Sequence, residues 1–79
     1  MIPIQALLNK IKWDKRENPE QYSIFYYDRV LNELIEVPYS RIKRTEGLFM
    51  TLDNEDETNI PLHRIKKIMI NRIVVWERK

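Results

Sequence analysis

Val37-Pro38-Tyr39-Ser40-Arg41-Ile42-Lys43-Arg44 returns later in the chain, 23 residues further on, as Ile60-Pro61-Leu62-His63-Arg64-Ile65-Lys66-Lys67. In each copy a β-branched residue precedes a proline, and an Arg-Ile-Lys run with one further cation follows. Proline fixes its own φ and holds its predecessor extended, so both copies should leave a strand in the same way. We therefore predict a unit of strand, turn and basic strand that the chain uses twice.

The segments around the two copies predict an α+β fold. Before them, apolar residues recur at helical spacing from Ile4 to Ile11, which predicts one helix over about residues 3 to 12. The rest is rich in β-branched and aromatic residues and broken by turn residues, which is typical of about five or six short, mostly antiparallel strands. The strand segments are 22–27, 34–37, 48–52, 58–60, and a closing hairpin of 68–70 and 73–76 around Asn71-Arg72. We expect the helix to cover a small, curved sheet or open barrel.

Length and composition exclude several classes of protein. The 79 residues suffice for a single domain, which we assign to 1–79, with room for a shallow binding face rather than a deep cavity. Absence of cysteine excludes disulfides and thiol chemistry. The acidic run from Asp53 to Glu57 lacks the glycine and spacing of a calcium loop, so we predict no metal and no cofactor. No segment has the length of a membrane span or the pattern of a leader, and we expect a cytoplasmic protein with no membrane partner.

The cations of the two copies form the main candidate site. In a strand, Arg41 and Lys43 would share a face opposite Ile42, and Arg64 and Lys66 would do the same. If the copies lie side by side, these cations converge, joined by Arg44 and Lys67. Guanidinium forks and ammonium groups together suit phosphate oxygens. The alternative is that these cations only solvate a face or protect a sheet edge.

Three further positions have both a functional and a structural interpretation. His63, the only histidine, could donate a hydrogen bond to a phosphate or hold the turn through a backbone hydrogen bond. Arg29 could join the basic face with Asp28 orienting it, or the two could be an ordinary surface ion pair. Among the aromatic residues we expect Tyr39 to be exposed, where it could stack on an unpaired base.

Several segments of the sequence resemble those of a known protein family. Asp28-Arg29, the run from Ile60 to Ile65, and the terminal Val75-Trp76-Glu77-Arg78 are similar to the short, mostly archaeal proteins of the RNA cyclic group end recognition domain family. In that family the module also occurs fused to domains resembling 2′,5′ RNA ligases and nucleotidyltransferases. The resemblance implies recognition of processed RNA ends, and it adds Trp76 and Arg78 as supporting residues. The family often has a glycine before its final strand, where this chain has Asn71-Arg72.

Together these observations favour a non-catalytic RNA-binding module that recognises phosphate-bearing or processed RNA ends. The alternative is an adaptor that docks RNA-processing enzymes without touching RNA, and a phosphodiesterase using His63 is a third. Homodimerisation through a sheet edge is left open. The predicted RNA-binding residues are Arg29, Tyr39, Arg41, Lys43, Arg44, His63, Arg64, Lys66 and Lys67, with Asp28, Trp76 and Arg78 in support.

Overall fold

The structure is a computed structural model that describes residues 3–78. These residues form one α-helix and seven strands, so the predicted α+β class is confirmed. The strands make an antiparallel four-stranded sheet in the order β2-β1-β6-β7 and a separate three-stranded sheet in the order β3-β4-β5. The elements are α1 (Ile4–Trp13), β1 (Tyr22–Asp28), β2 (Glu33–Pro38), β3 (Ile42–Glu46), β4 (Phe49–Leu52), β5 (Asn59–Pro61), β6 (Ile65–Ile70) and β7 (Ile73–Glu77).

The helix forms where the apolar spacing predicts it. Its buried face carries Leu7, Leu8 and Ile11, which pack into a core shared by both sheets. Pro3 precedes the first turn with φ −62°, a conformation that suits proline at a helix start. The core's fully buried side chains come from the helix and from both sheets: Leu8, Ile11, Ile24, Met50, Ile65 and Ile68. Burial of this apolar surface is the main term that stabilises the fold.

The four-stranded sheet has an inner face on the core and an outer face on solvent. Ile24 of β1 lies opposite Ile68 of β6, and both side chains are completely buried. The next residue of β1, Phe25, lies opposite Lys67, the residue that precedes Ile68 in β6, and both are partly exposed. Because side chains alternate along a strand, Phe25 and Lys67 lie on the outer face.

The two sequence copies connect the sheets. The first copy leaves the four-stranded sheet at Pro38, makes a 3₁₀ turn at Tyr39–Arg41 (the first crossing turn), and enters β3 of the other sheet. The second copy runs the opposite way, from β5 through a 3₁₀ turn at Leu62–Arg64 (the second crossing turn) into β6. Pro38 and Pro61 have nearly the same φ, −63° and −60°. The prediction of one local structure used twice is confirmed.

Two expectations about the cations are wrong. Arg41 and Arg64 lie in the crossing turns and not in strands, so strand alternation does not align them with Lys43 and Lys66. The copies also lie apart. The first copy meets β1 at its start, where Pro38 is opposite Ser23, whereas the second meets it near its end, where Ile65 is opposite Tyr26. On β4 they again lie at opposite ends, since Ile42 is opposite Leu52 and Pro61 opposite Phe49. The six cations therefore do not form a single cluster.

Tight turns join the hairpins. Asn32, in the turn between β1 and β2, has φ +55°, a conformation that asparagine tolerates. Asn71 and Arg72 form the two-residue loop between β6 and β7 with φ +46° and +74°. Positive φ at both positions is the pattern of a type I′ turn. In the part of the chain that the structure describes, no helix is long and apolar enough to cross a membrane.

Candidate nucleic-acid interface

In the first copy, carboxylates bind two of the cations. Lys43 Nζ lies 2.5 Å from Glu57 Oε1, and Arg44 lies 3.4 Å from Glu46 and 3.7 Å from the same Glu57 oxygen. The hydrogen bond from Lys43, with its charge and that of Arg44, lowers the pKa of Glu57. Through Glu57, the acidic turn therefore pairs with two of the cations of the first copy.

The second copy differs in this respect. Among residues 3–78, none of Arg64, Lys66 and Lys67 has a carboxylate within ion-pair distance. Lys67 Nζ lies 4.7 Å from the centroid of the Phe25 ring. Arg64 is partly buried, and its Nε has no hydrogen-bond partner within the described chain. Lys66 is the extra residue of a β-bulge, because Ile65 and Lys67 lie opposite the consecutive residues Tyr26 and Phe25.

His63 lies in the second crossing turn with its side chain exposed. No hydrogen bond from its imidazole occurs within residues 3–78, so its expected structural role of holding the turn has no support there. The ring borders a surface groove of about 210 Å³ whose other walls include Leu48 and Arg78. His63 is therefore available to a ligand.

Arg78 fixes the backbone of this turn. Its Nε donates to the carbonyl of Ile65 at 3.0 Å, and a terminal nitrogen donates to the carbonyl of Leu62 at 3.2 Å. The guanidinium also lies 5.1 Å from the ring centroid of Trp76, which is buried opposite Ile68. Arg78 and Trp76 thus support the turn from within. The family resemblance implied that both are supporting residues, but it could not show that Arg78 reaches two carbonyls of the second copy.

Arg29 lies at the same end of the four-stranded sheet as the second crossing turn. It is exposed and follows β1 directly, and the end of β1 contacts that turn. Asp28 does not orient it. The Asp28 carboxylate accepts hydrogen bonds from the backbone N–H groups of Val30 and Leu31, at 2.8 and 3.0 Å, and so closes the β1–β2 turn.

The prediction that Tyr39 is exposed is wrong. Its ring packs against the core, its hydroxyl donates to the carbonyl of Leu8 at 3.3 Å, and burial raises its pKa. Tyr39 is therefore not the exposed aromatic residue that we expected. It lines a small groove of about 130 Å³ together with Lys43, Arg44 and Lys12. Lys12 was not among the predicted site residues, and its place in the last turn of the helix was the one sequence feature that pointed to it.

Arg41 completes the first copy. Its side chain is exposed, and its carbonyl accepts a hydrogen bond from the Asp53 N–H at 2.7 Å. That bond ties the acidic turn to the first crossing turn, which explains why Glu57 lies close to Lys43. No group of three or more histidine, aspartate or glutamate side chains within residues 3–78 is placed to hold a metal ion.

Comparison with known proteins identifies relatives along nearly the whole chain. The family model of the MJ1316 RNA cyclic group end recognition domain matches residues 1–78. A UPF0248 protein of Metallosphaera sedula is 39% identical over 75 residues, which cover 95% of this chain and 91% of the relative. A UPF0248 protein of Pyrococcus furiosus is 37% identical over 78 residues, covering 96% and 88%. No solved structure matches significantly. The chain belongs to the RNA cyclic group end recognition domain family.

Proposed function

We propose that this protein is a non-catalytic RNA-binding module that recognises phosphate-bearing or processed RNA ends through its second copy. The observation that carries the proposal is the difference between the copies. Lys43 and Arg44 are paired with carboxylates, whereas their counterparts Lys66 and Lys67 have no such partner within residues 3–78, and the arginines Arg41 and Arg64 have none in either copy. An unpaired cation gains more from a phosphate than one that must first leave a carboxylate. The description of the family supports RNA as the ligand.

The side chains of the second copy are suited to bind the terminal phosphate of an RNA. Arg64 provides a planar fork, Lys66 a mobile point charge, and His63 a ring N–H donor. Arg29 adds a fourth donor group from the neighbouring turn. Because Arg78 fixes the carbonyls of Leu62 and Ile65, the backbone that carries these side chains is held in place before the ligand arrives. His63 is the residue we assign to discrimination between kinds of end.

The same geometry argues against hydrolysis by this chain. Acid–base cleavage of a phosphodiester needs one group to take a proton and another to supply one. The chain has a single histidine, and no second acid or base is placed beside it among the described residues that line its groove. We therefore assign binding and not catalysis to His63.

One observation favours the adaptor as a second candidate. β7 is the outer strand of its sheet, and Ile73, Val74 and Val75 are 67%, 46% and 43% exposed. An apolar strand at a sheet edge can pair with a strand of another protein, such as an RNA-processing enzyme, or of a second copy. In that case the cations of the second copy would serve solubility alone.

Fluorescence anisotropy with short RNAs of one sequence separates the two functions. The RNAs should end in a hydroxyl, a linear phosphate or a cyclic phosphate. We expect binding whose log affinity falls with log salt by about 0.7 per phosphate contact. His63→Ala should reduce the preference among ends more than it reduces overall affinity.

The matched control is Ser40→Ala, at the corresponding position of the first copy, which should leave end preference unchanged. No measurable binding to any of the three RNAs would contradict the proposal and leave the adaptor. Cleaved products on a gel would contradict the assignment of binding without catalysis.

A further inference from the structure

We propose that the outer face of β1 and β6 is a base-stacking platform for the single-stranded segment that leads to the bound RNA end. Phe25 and Tyr27 would provide the rings, and Lys67 and Arg72 would contact the backbone phosphates. This inference rests on the proposed function for the identity of its ligand. It extends the site from the end phosphate to the bases beside it.

The first observation that supports the platform is the position of the aromatic rings on β1. β1 is an inner strand of the four-stranded sheet, and Ile24, between Ser23 and Phe25, is completely buried. Alternation therefore puts Ser23, Phe25 and Tyr27 on the opposite face, where all three are partly exposed. The Tyr27 hydroxyl donates to the side chain of Asn32, which holds the ring in one orientation. Aromatic rings on a four-stranded sheet can stack two or three bases of single-stranded RNA.

The second observation is that unpaired cations lie on the same face as these rings. Lys67 lies over the Phe25 ring, and neither it nor Arg72 has an ion-pair partner among the described residues. Arg72 borders a groove of about 450 Å³ whose walls also include Phe25 and Met69, with Glu20 and Glu36 as its two acidic residues. Cations interleaved with rings are the pattern that binds single strands, since the rings take bases while the cations take phosphates.

Lys67 does not block the ring. An exposed contact between a lysine and a ring is weaker than the stacking of a base on that ring, so a base displaces the ammonium group. The displaced group then lies next to the phosphate of the same nucleotide. Glu36 and Glu77 are opposite Phe25 and Lys67 on the flanking strands, and their carboxylates repel phosphates from both sides. The arrangement therefore confines an RNA strand to β1 and β6.

The two ends of the platform adjoin different parts of the molecule. Its Tyr27 end adjoins the second crossing turn, because Ile65 lies opposite Tyr26, and its other end reaches Arg72 in the β6–β7 turn. A strand whose terminal phosphate lies at His63 and Arg64 would place its next bases over Tyr27 and Phe25. The end site and the platform would thus read one continuous segment.

The test compares a short base-containing RNA with an abasic oligomer of equal length and charge. Phe25→Leu should weaken binding of the base-containing RNA about five-fold or more and leave the abasic oligomer unchanged. Phe25→Tyr should restore affinity because it restores the ring. Trp13→Leu removes a ring that is 73% exposed on α1, away from the platform, and should have no effect.

Tyr27→Leu provides a second variant, and NMR of the wild-type protein needs no variant at all. On addition of base-containing RNA, the ring protons of Phe25 and Tyr27 should shift upfield, as ring stacking requires. Equal loss for both oligomers in Phe25→Leu, or unmoved ring protons in an RNA-bound protein, would overturn the platform while leaving the end site intact. Absence of binding to both oligomers by the wild-type protein would overturn both proposals.

Discussion

The carboxylate of Glu57 determines how two similar basic segments come to differ. It accepts a hydrogen bond from Lys43 and lies 3.7 Å from Arg44, whereas no described acid reaches the cations of the second copy. The sequence predicted that the cations of both copies would form one binding face, and it could not show that carboxylates would pair with cations of the first copy and not of the second. The pairing depends on a turn that the Arg41 carbonyl holds in place, which is a contact between residues far apart in the sequence.

Glu57→Gln should therefore make the first copy available to anions. We expect the slope of log affinity against log salt to steepen by about 0.7 for each phosphate that Lys43 or Arg44 then contacts. Asp56→Asn is the control, since it makes the same change in net charge in the same turn without breaking an ion pair among residues 3–78. Equal slopes for the two variants would show that only net charge matters.

The same pair predicts a pH dependence of stability. Lys43 lowers the pKa of Glu57 below its ordinary 4.5, so the folded state binds this proton less readily than the unfolded chain does. The stabilisation is fully present above pH 4.5 and is lost as the pH falls through the folded-state pKa. Urea unfolding should therefore show wild type and Glu57→Gln converging as the pH is lowered from 6 to 3. A difference that stays constant with pH would contradict this account.

Arg78 is the residue whose loss should most affect the second crossing turn. Arg78→Lys keeps the charge but loses the fork that reaches the carbonyls of both Leu62 and Ile65. Hydrogen bonds from a charged donor contribute about 1.5–3 kcal/mol, so the free energy of unfolding should fall by roughly that amount. Arg41→Lys, at an exposed side chain, should change it by less than about 0.5 kcal/mol. Equal urea midpoints for the two variants would refute the supporting role of Arg78.

At the scale of elements, local sequence patterns predicted the helix correctly, whereas they did not predict which distant strands and side chains come into contact. The spacing of Leu7, Leu8 and Ile11 predicted the helix because those side chains share one face. The two-sheet arrangement was not predictable in this way, since it depends on β4 pairing with both β3 and β5. Tyr39 was predicted as exposed because the residue it meets, Leu8, lies 31 positions away. Arg41 and Arg64 were expected in strands and lie in the crossing turns instead, because Pro-x-x-Arg is compatible with both conformations.

The β6–β7 turn carries a conformational cost that a substitution should remove. Arg72 has φ +74°, in the left-handed region where a side chain is disfavoured and glycine is not. Arg72→Gly should raise the free energy of unfolding by about 1 kcal/mol, whereas Arg72→Ala keeps the unfavourable φ and should not. The two variants lose the same charge, so their difference in urea midpoint isolates the backbone effect. A stability for Arg72→Gly at or below that of Arg72→Ala would contradict the type I′ turn.

At the scale of the whole molecule, the arrangement of charge matters more than its total. The net charge is only +2, and it gives no reason to expect an anionic ligand. The fold places the copies at opposite ends of β1 and β4, so Glu57 of the acidic turn pairs with Lys43 and Arg44 of the first copy without reaching the second. One end of the four-stranded sheet is left with Arg29, His63, Arg64 and Lys66, and that end is where we place the RNA.

The most direct test compares the salt dependence of RNA binding for two matched double variants. Arg64→Ala with Lys66→Ala removes two unpaired cations of the second copy, and Lys43→Ala with Arg44→Ala removes two ion-paired cations of the first copy, the same loss of charge. The account predicts that the first double variant flattens the slope of log affinity against log salt by about 1.4, from two lost contacts, and that the second leaves it unchanged. Equal flattening by both, or flattening by the second alone, would contradict it.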